Sequence, residues 1–192
     1  MDPPPDLATL SLAEIVRLAA EQKLPPVEKW NPANCGHSGM RIGRDGTWFH
    51  EGSPIGRQEM VRLFSTVLRR EPDGRHMLVT PVEKLDIDVE DAPFQALEMR
   101  SHGEGKAREI AFSLNTGEIV LLDADHPLII RADKAGPRPY VLVRRGLEAR
   151  IARSVYYELA AIAIAEEAET PGLWSYGQFF PLSTDEDPHA AA

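Results

Sequence analysis

Asp45-Gly46 lies between two short runs rich in apolar residues, Met40-Arg41-Ile42 before it and Thr47-Trp48-Phe49 after it. Asp-Gly supplies the positive φ that a two-residue hairpin turn requires, so this stretch is constrained to a β-hairpin. A polar loop, His50 to Ile55, then leads into residues 57–70, where Met60, Val61, Phe64, Val67 and Leu68 recur at helical spacing. That stripe predicts a core-facing helix, closed by the turn Glu71-Pro72-Asp73-Gly74 with proline at its second position.

The flanking chain can be read the same way. Residues 1–9 are proline-rich and read as a loose arm. Ser11 and Glu14 form a capping box, with Leu10 and Ile15 placed as a staple, so a capping helix is expected from Ser11 to about Leu24, stopped by Pro25-Pro26. Residues 32–38 read as loop. His76 to Thr80 is a short apolar strand, and Leu85 to Glu90 alternates so regularly that one face is buried and the other wet; Pro81 puts an edge or bend between them. Ala92-Pro93 marks a boundary. Beyond it, alternation at Leu97 and Met99, Ile110 to Leu114, Glu118 to Leu122, Pro127 to Arg131 and Tyr140 to Arg144 predicts an antiparallel sheet of about five strands. Leu147, Ile151, Val155, Leu159 and Ile162 then predict a long closing helix reaching Ala168, before an acidic tail after Ser183. The units are therefore an arm and capping helix at 1–30, a first lobe at 31–92, a second lobe at 93–170 and a tail at 171–192. Gly46 leading to His50 and Pro54 has a loose counterpart in Gly117 leading to His126 and Pro127, which suggests a repeat.

Composition narrows function. With 43% apolar residues over 192, the chain can bury a core. No run approaches the roughly 18 apolar residues of a membrane span, and Met1-Asp2-Pro3-Pro4-Pro5 lacks the basic start of a secretory signal, so a cytoplasmic location is expected. The single Cys35 excludes an internal disulfide framework and a thiolate metal cage. A net charge of −9 argues against general binding to nucleic acid or an anionic membrane, so an anionic partner needs a local basic site.

The runs Asp45-Gly46-Thr47-Trp48, Gly52-Ser53-Pro54-Ile55, Met60 to Phe64, Leu78 to Lys84 and Val89 to Phe94 resemble a bacterial family known only as domain of unknown function 1285. Asp125-His126-Pro127-Leu128 and Val143 to Ala149 extend the resemblance, which covers about residues 30 to 165. It implies a two-lobed fold with an internal duplication, the second lobe similar to a pleckstrin-homology-like sheet closed by a helix. It also implies a small-ligand site between the lobes, for a nucleotide-like molecule, in a signalling context. One departure is His37-Ser38 after Cys35-Gly36, where the family pattern has an acidic residue.

Candidate sites compete with plainer readings. Cys35-Gly36-His37 offers thiol or metal chemistry, but two ligands fall short of four, so a loop cysteine packed under the hairpin is preferred and no metal or cofactor is expected. His50-Glu51 and Asp123-Ala124-Asp125-His126 offer acid and base groups, against a turn role for His126. Glu83-Lys84 reads as a cross-strand ion pair before an acid–base pair. Five arginines, 138, 144, 145, 150 and 153, stand against the single acid Glu148 in that stretch. If Gly146 opens the helix, Arg144 and Arg145 beside its first N–H groups suit a phosphate; the alternative is pairing with Asp86 and Asp88. Trp48 and Trp174 are core residues unless one lines the gap between lobes and stacks on a ring.

The expected fold is thus α+β: two related lobes, each an antiparallel sheet with a helix, behind a capping helix. The expected ligand-binding set is Trp48, His50, Glu83, Lys84, His126, Arg144, Arg145 and Arg150. The leading function is a non-catalytic module that binds or senses an anionic, nucleotide-like molecule between the lobes and signals to a protein partner. The alternatives are an enzyme using histidine and carboxylate, which needs those groups to converge in a pocket, and an interaction module, which needs an exposed apolar patch.

Overall fold

The structure, a computed structural model, describes residues 24–134, 136–166 and 169–183. The expected capping helix and the acidic tail lie outside them. The first lobe comprises β1 (Cys35–Ile42), β2 (Trp48–His50), β3 (Ser53–Pro54), α1 (Gln58–Thr66), β4 (Leu68–Arg70), β5 (His76–Val79) and β6 (Lys84–Val89). The second comprises β7 (Phe94–His102), β8 (Glu109–Leu114), β9 (Ile119–Leu121), β10 (Leu128–Arg131), β11 (Arg138–Arg144), β12 (Leu147–Ile151) and α2 (Arg153–Ala165), followed by the hairpin β13 (Gly172–Ser175) and β14 (Gln178–Pro181).

The two six-stranded sheets have the same topology. The first runs β3-β2-β1-β6-β5-β4, and the second, read from its other edge, runs β9-β8-β7-β12-β11-β10. Each strand of the first lobe therefore has its counterpart six strands later. In both lobes the first and last strands meet at the centre and pair in parallel, β1 with β6 and β7 with β12, while the other pairs are antiparallel. The expectation of purely antiparallel sheets is corrected on that point. A parallel pair needs a long crossover, and here the whole meander between first and last strand provides it. The duplication does not follow the glycine-to-histidine motifs: Gly46 joins the first and second strands of its lobe, whereas Gly117 joins the second and third of the other. The helices differ too, α1 lying between the third and fourth strands and α2 after the sixth.

Three further boundaries differ from the sequence reading. Helix α1 ends at Thr66, because Ser65 and Thr66 bond back to the Arg62 and Leu63 carbonyls and Leu68–Arg70 pairs with His76–Leu78 as a hairpin. Of its expected stripe, Val61 and Leu68 are buried, Phe64 and Val67 half-buried, and Met60 exposed. Residues 147–151 are a strand: Leu147, Ala149 and Ile151 point inward while Glu148 and Arg150 alternate with them. A spacing of four between Leu147 and Ile151 fits either period, and Ala149 between them decides for two. The closing helix therefore begins at Arg153, where it buries Val155, Leu159 and Ala163. Lastly, residues 171–183 are not a tail: Leu173, Phe180 and Leu182 enter the core, and the Ser175 hydroxyl accepts the Ile110 N–H at 3.1 Å.

The Asp45-Gly46 hairpin forms, with three loop residues in place of two. The Gly43 N–H donates to the Thr47 carbonyl, the Gly46 N–H donates to the Gly43 carbonyl, and only Gly46, at φ 80°, is left-handed. The two-residue turn is instead Arg145-Gly146, both at positive φ, which joins β11 to β12.

One continuous core, including Trp48, Phe94, Phe112 and Leu159, runs through both lobes. His76 sits half-buried at its rim, and burial, helped by the Arg70 charge, pulls its pKa down to about 4. Between pH 4 and 6.5 the unfolded chain thus binds more protons at this residue than the folded one. Stability from this group is complete above about pH 6.5 and falls as the pH drops toward 4. Because part of the ring stays in water, we expect a loss of only about 1 kcal/mol over that window. His76→Gln should remove that increment from the difference in unfolding free energy between pH 7 and pH 4.5; an unchanged difference would contradict the assignment.

Candidate ligand-binding cleft

A cavity of about 710 Å³ opens between the lobes. The first lobe supplies Arg44 and Asp45 from its hairpin, and the second supplies Gln95 from β7. The turn before β11 adds Asp133 and Pro137, and the start of β11 adds Arg138. The end of β12 and the start of α2 add Arg150, Arg153, Tyr156 and Tyr157. The hairpin is held against the second lobe by side-chain amides: Gln95 Nε2 donates to the Arg44 carbonyl at 3.2 Å and Asn115 Nδ2 to the Gly46 carbonyl at 3.4 Å. A Cβ at Gly46 would lie 2.6 Å from the Gln95 side chain, so only glycine allows this approach.

The four arginines of the cleft are differently engaged. Arg150 donates from Nη1 to Asp91 at 2.6 Å, and Tyr140 donates to the other Asp91 oxygen at 2.7 Å. Arg138 pairs with Asp133. Arg153 donates from Nε to the Tyr157 hydroxyl at 2.9 Å, and its guanidinium lies over that ring at 5.6 Å. The Arg44 and Arg153 guanidiniums have no carboxylate partner among the described residues. Asp45 is turned into its own loop, accepting from Thr47 N and Oγ1, and those hydrogen bonds hold its carboxyl below the usual range. Helix α2 has Ala152 at its N-cap, with no side-chain cap and no acid in its first turn. Its first N–H groups are open to an acceptor.

Of the expected ligand-binding residues, only Arg150 lines this cleft, together with Arg138 and Arg153 of the same cluster. Gly146 does not start a helix, so Arg144 and Arg145 are not beside helical N–H groups. Arg144 pairs with Glu118 and donates to the Ser65 carbonyl at 2.8 Å. Arg145 pairs with Glu28 at 3.0 Å and lines a shallower depression of about 360 Å³ with Arg70. The cluster's carboxylate partners are Glu118, Glu28, Asp91 and Asp133, in place of the expected Asp86 and Asp88. Trp48 is buried core, and Trp174 packs edge-on against Phe179 with Lys106 over its ring. His50 is exposed at the end of β2. Glu83 closes the turn after β5 through its backbone, and no ion pair joins it to Lys84 among the described residues. His126 Nδ1 lies 2.9 Å from Asp123, which also accepts the His126 N–H, as a turn residue would. Cys35 is exposed and belongs to strand β1 rather than to a loop, and His37 on the same strand meets Asp86 at 2.5 Å. No group of three or more His, Cys, Asp or Glu among the described residues is arranged to hold a metal. Arg44, Tyr156, Tyr157 and Asp91 were missed: nothing in their local sequence shows that the two lobes bring them together.

Among the described residues, no helix is long and apolar enough to cross a membrane. No curated protein matches the chain. It is similar over 90% of its length to the crystal structure of a DUF1285 family protein from Silicibacter pomeroyi DSS-3, at 44% identity, a TM-score of 0.78 and 96% coverage of that chain. It shares its fold with a DUF1285 family protein from Shewanella baltica OS155, at 23% identity, a TM-score of 0.50, and coverage of 64% of this chain and 91% of that one. Residues 25–92 match the N-terminal domain of unknown function DUF1285 and residues 93–182 its C-terminal domain, so the chain belongs to the DUF1285 family.

Proposed function

We propose that this protein is a non-catalytic, cytoplasmic small-ligand-binding or sensing module that holds an anionic molecule in the interlobe cleft. The observation that carries this reading is the gathering of four arginines, from both lobes, around one cavity in a chain of net charge −9. The cavity lies within the size range of small-molecule sites and would admit a nucleotide-like compound. Because both lobes contribute to its walls, a bound anion ties Arg44 of one lobe to Arg150 and Arg153 of the other. That link would let a protein partner in bacterial signal transduction distinguish the filled from the empty form. The enzyme reading has less support, since the pairs His126–Asp123 and His37–Asp86 lie outside the cleft lining.

A ligand at 100 times its Kd stabilises the native state by about 2.7 kcal/mol, and a chain of this size gains roughly 2 to 4 °C of melting temperature per kcal/mol. A panel of nucleotides, sugar phosphates and carboxylates should therefore contain a compound that raises the melting temperature by roughly 5 to 10 °C. Arg44→Ala and Arg153→Ala should each shrink that shift and move the unliganded transition by less than about 2 °C, because neither side chain holds a buried carboxylate among the described residues. If no compound moves the transition, the cleft reading is abandoned. The exposed apolar side chains of α2, Tyr157 and Ile164, then favour an interaction module.

A further inference from the structure

On the reading just given, we infer that the ligand of the cleft is a phosphate monoester in its dianionic form, carried on an aromatic or apolar body. Of the four arginines that line the cavity, Arg138 is paired with Asp133 and Arg150 with Asp91, and Asp45 is turned into its own loop; the two guanidiniums of Arg44 and Arg153, without a carboxylate partner among the described residues, are left for the ligand to neutralise. A carboxylate, a sulfate ester or a phosphodiester supplies only one negative charge; a phosphate monoester supplies close to two at neutral pH and three acceptor oxygens. The donors suit that geometry. Arg44 and Arg153 reach the cavity from opposite lobes without carboxylate partners among the described residues, and Arg150 donates to Asp91 from Nη1. Planar guanidinium forks pair with phosphate oxygens two at a time, and the uncapped first turn of α2 adds backbone N–H groups beside them. The lining also has an aromatic and apolar part, Tyr156 and Tyr157 from α2 with Pro137 and Pro139, and Arg153 donates a hydrogen bond to the Tyr157 hydroxyl. A wholly polar dianion would leave that part against water.

The charged and titratable groups around the cavity are Arg44, Arg138, Arg150, Arg153, Asp45 and Asp133, with Tyr156 and Tyr157, and Asp91 behind Arg150. The lining holds no histidine or cysteine among the described residues, the side chains whose ordinary titration falls nearest neutrality. The pH dependence of binding between pH 5 and 8 should therefore follow the ligand's second ionisation near 6.

The test compares phenyl phosphate with phenyl sulfate, which share a ring and differ by one charge at neutral pH. Dissociation constants are measured by NMR titration up to millimolar concentrations at pH 5, 6, 7 and 8, with melting temperatures confirming that the protein stays folded. Phenyl phosphate is expected to bind about tenfold or more tighter than phenyl sulfate at pH 7.5, by an electrostatic gain of roughly 1.4 kcal/mol. Its affinity should drop toward the sulfate value between pH 6 and 5, while phenyl sulfate stays level. Shifts should map to the cleft and vanish in Arg44→Ala/Arg153→Ala. Equal affinities, or a phosphate affinity independent of pH, overturn the dianion inference and leave the anion cleft standing. Absence of binding by either compound overturns the dianion inference, and only if the wider anion panel is silent as well does the cleft reading fall.

Discussion

Arg144→Ala is expected to destabilise the protein by about 3 to 5 kcal/mol, lowering its melting temperature by roughly 10 °C or more. Only 11% of the Arg144 side chain is exposed, and 14% of that of Glu118, with which it pairs. Its second Nη donates to the Ser65 carbonyl at the end of α1, and the guanidinium lies 4.9 Å from the centre of the Phe94 ring. One side chain thus joins the β8–β9 turn and β11 of the second lobe to the helix of the first. Burial pushes the Glu118 carboxyl up and the Arg144 guanidinium opposes it, so the carboxylate depends on that neighbour for its charge. Alanine would leave Glu118 to be buried as an unpaired ion or to take up a proton, and would remove the charged donor to the Ser65 carbonyl. Equilibrium urea unfolding measures the loss, and adding Glu118→Gln to Arg144→Ala should recover part of it. A loss below about 1 kcal/mol, or no recovery, would mean that the pair does not hold the lobes together.

This stabilising role bears on how much of the site was legible in the sequence. Arginine density between residues 138 and 153 was visible, but its meaning depended on carboxylates far along the chain. Glu118 lies 26 residues from Arg144 and Asp91 lies 59 from Arg150. Of the four arginines that line the cleft, Arg153 and Arg44 have no carboxylate partner among the described residues, and Arg44 belongs to the other lobe. Local signals fared better where pairing is local: the hairpin at Asp45-Gly46, the start of α1 and most strand positions follow from glycine turns and alternation. Strand order was not readable, because parallel and antiparallel strands with one wet face carry the same period-two pattern. Residues 147–151 failed for a related reason: a five-residue run with apolar ends satisfies two periods. The C-terminal hairpin was missed because its turn is Tyr176-Gly177, with none of the Asn-Gly or Asp-Gly signal that marks such turns.

Trp48→Ala is the second large effect, with an expected loss of about 3 to 5 kcal/mol. Trp48 is 1% exposed on β2, directly after the hairpin that carries Arg44, and its ring stacks on Phe64 of α1 at 6.4 Å with an interplanar angle of 17°. Truncation removes the contact that ties the hairpin strand to the helix and leaves a cavity that the flanking strands cannot fill without breaking their ladders. Phe64 lies on the half-buried side of the same stack, so Phe64→Ala should cost less, about 2 kcal/mol, than a fully buried phenylalanine would. The indole N–H of Trp48 is buried without a hydrogen-bond partner among the described residues. Trp48→Phe therefore removes an unsatisfied donor along with some ring volume, and these oppose each other, so its expected cost is under about 2 kcal/mol. The order alanine, then phenylalanine, then wild type in urea midpoint distinguishes this account from one in which the N–H is an essential donor. In that case phenylalanine would be nearly as damaging as alanine. Because β2 positions the Arg44 loop, Trp48→Ala should also weaken phenyl phosphate binding at a temperature where the variant remains folded, whereas Trp48→Phe should leave it intact.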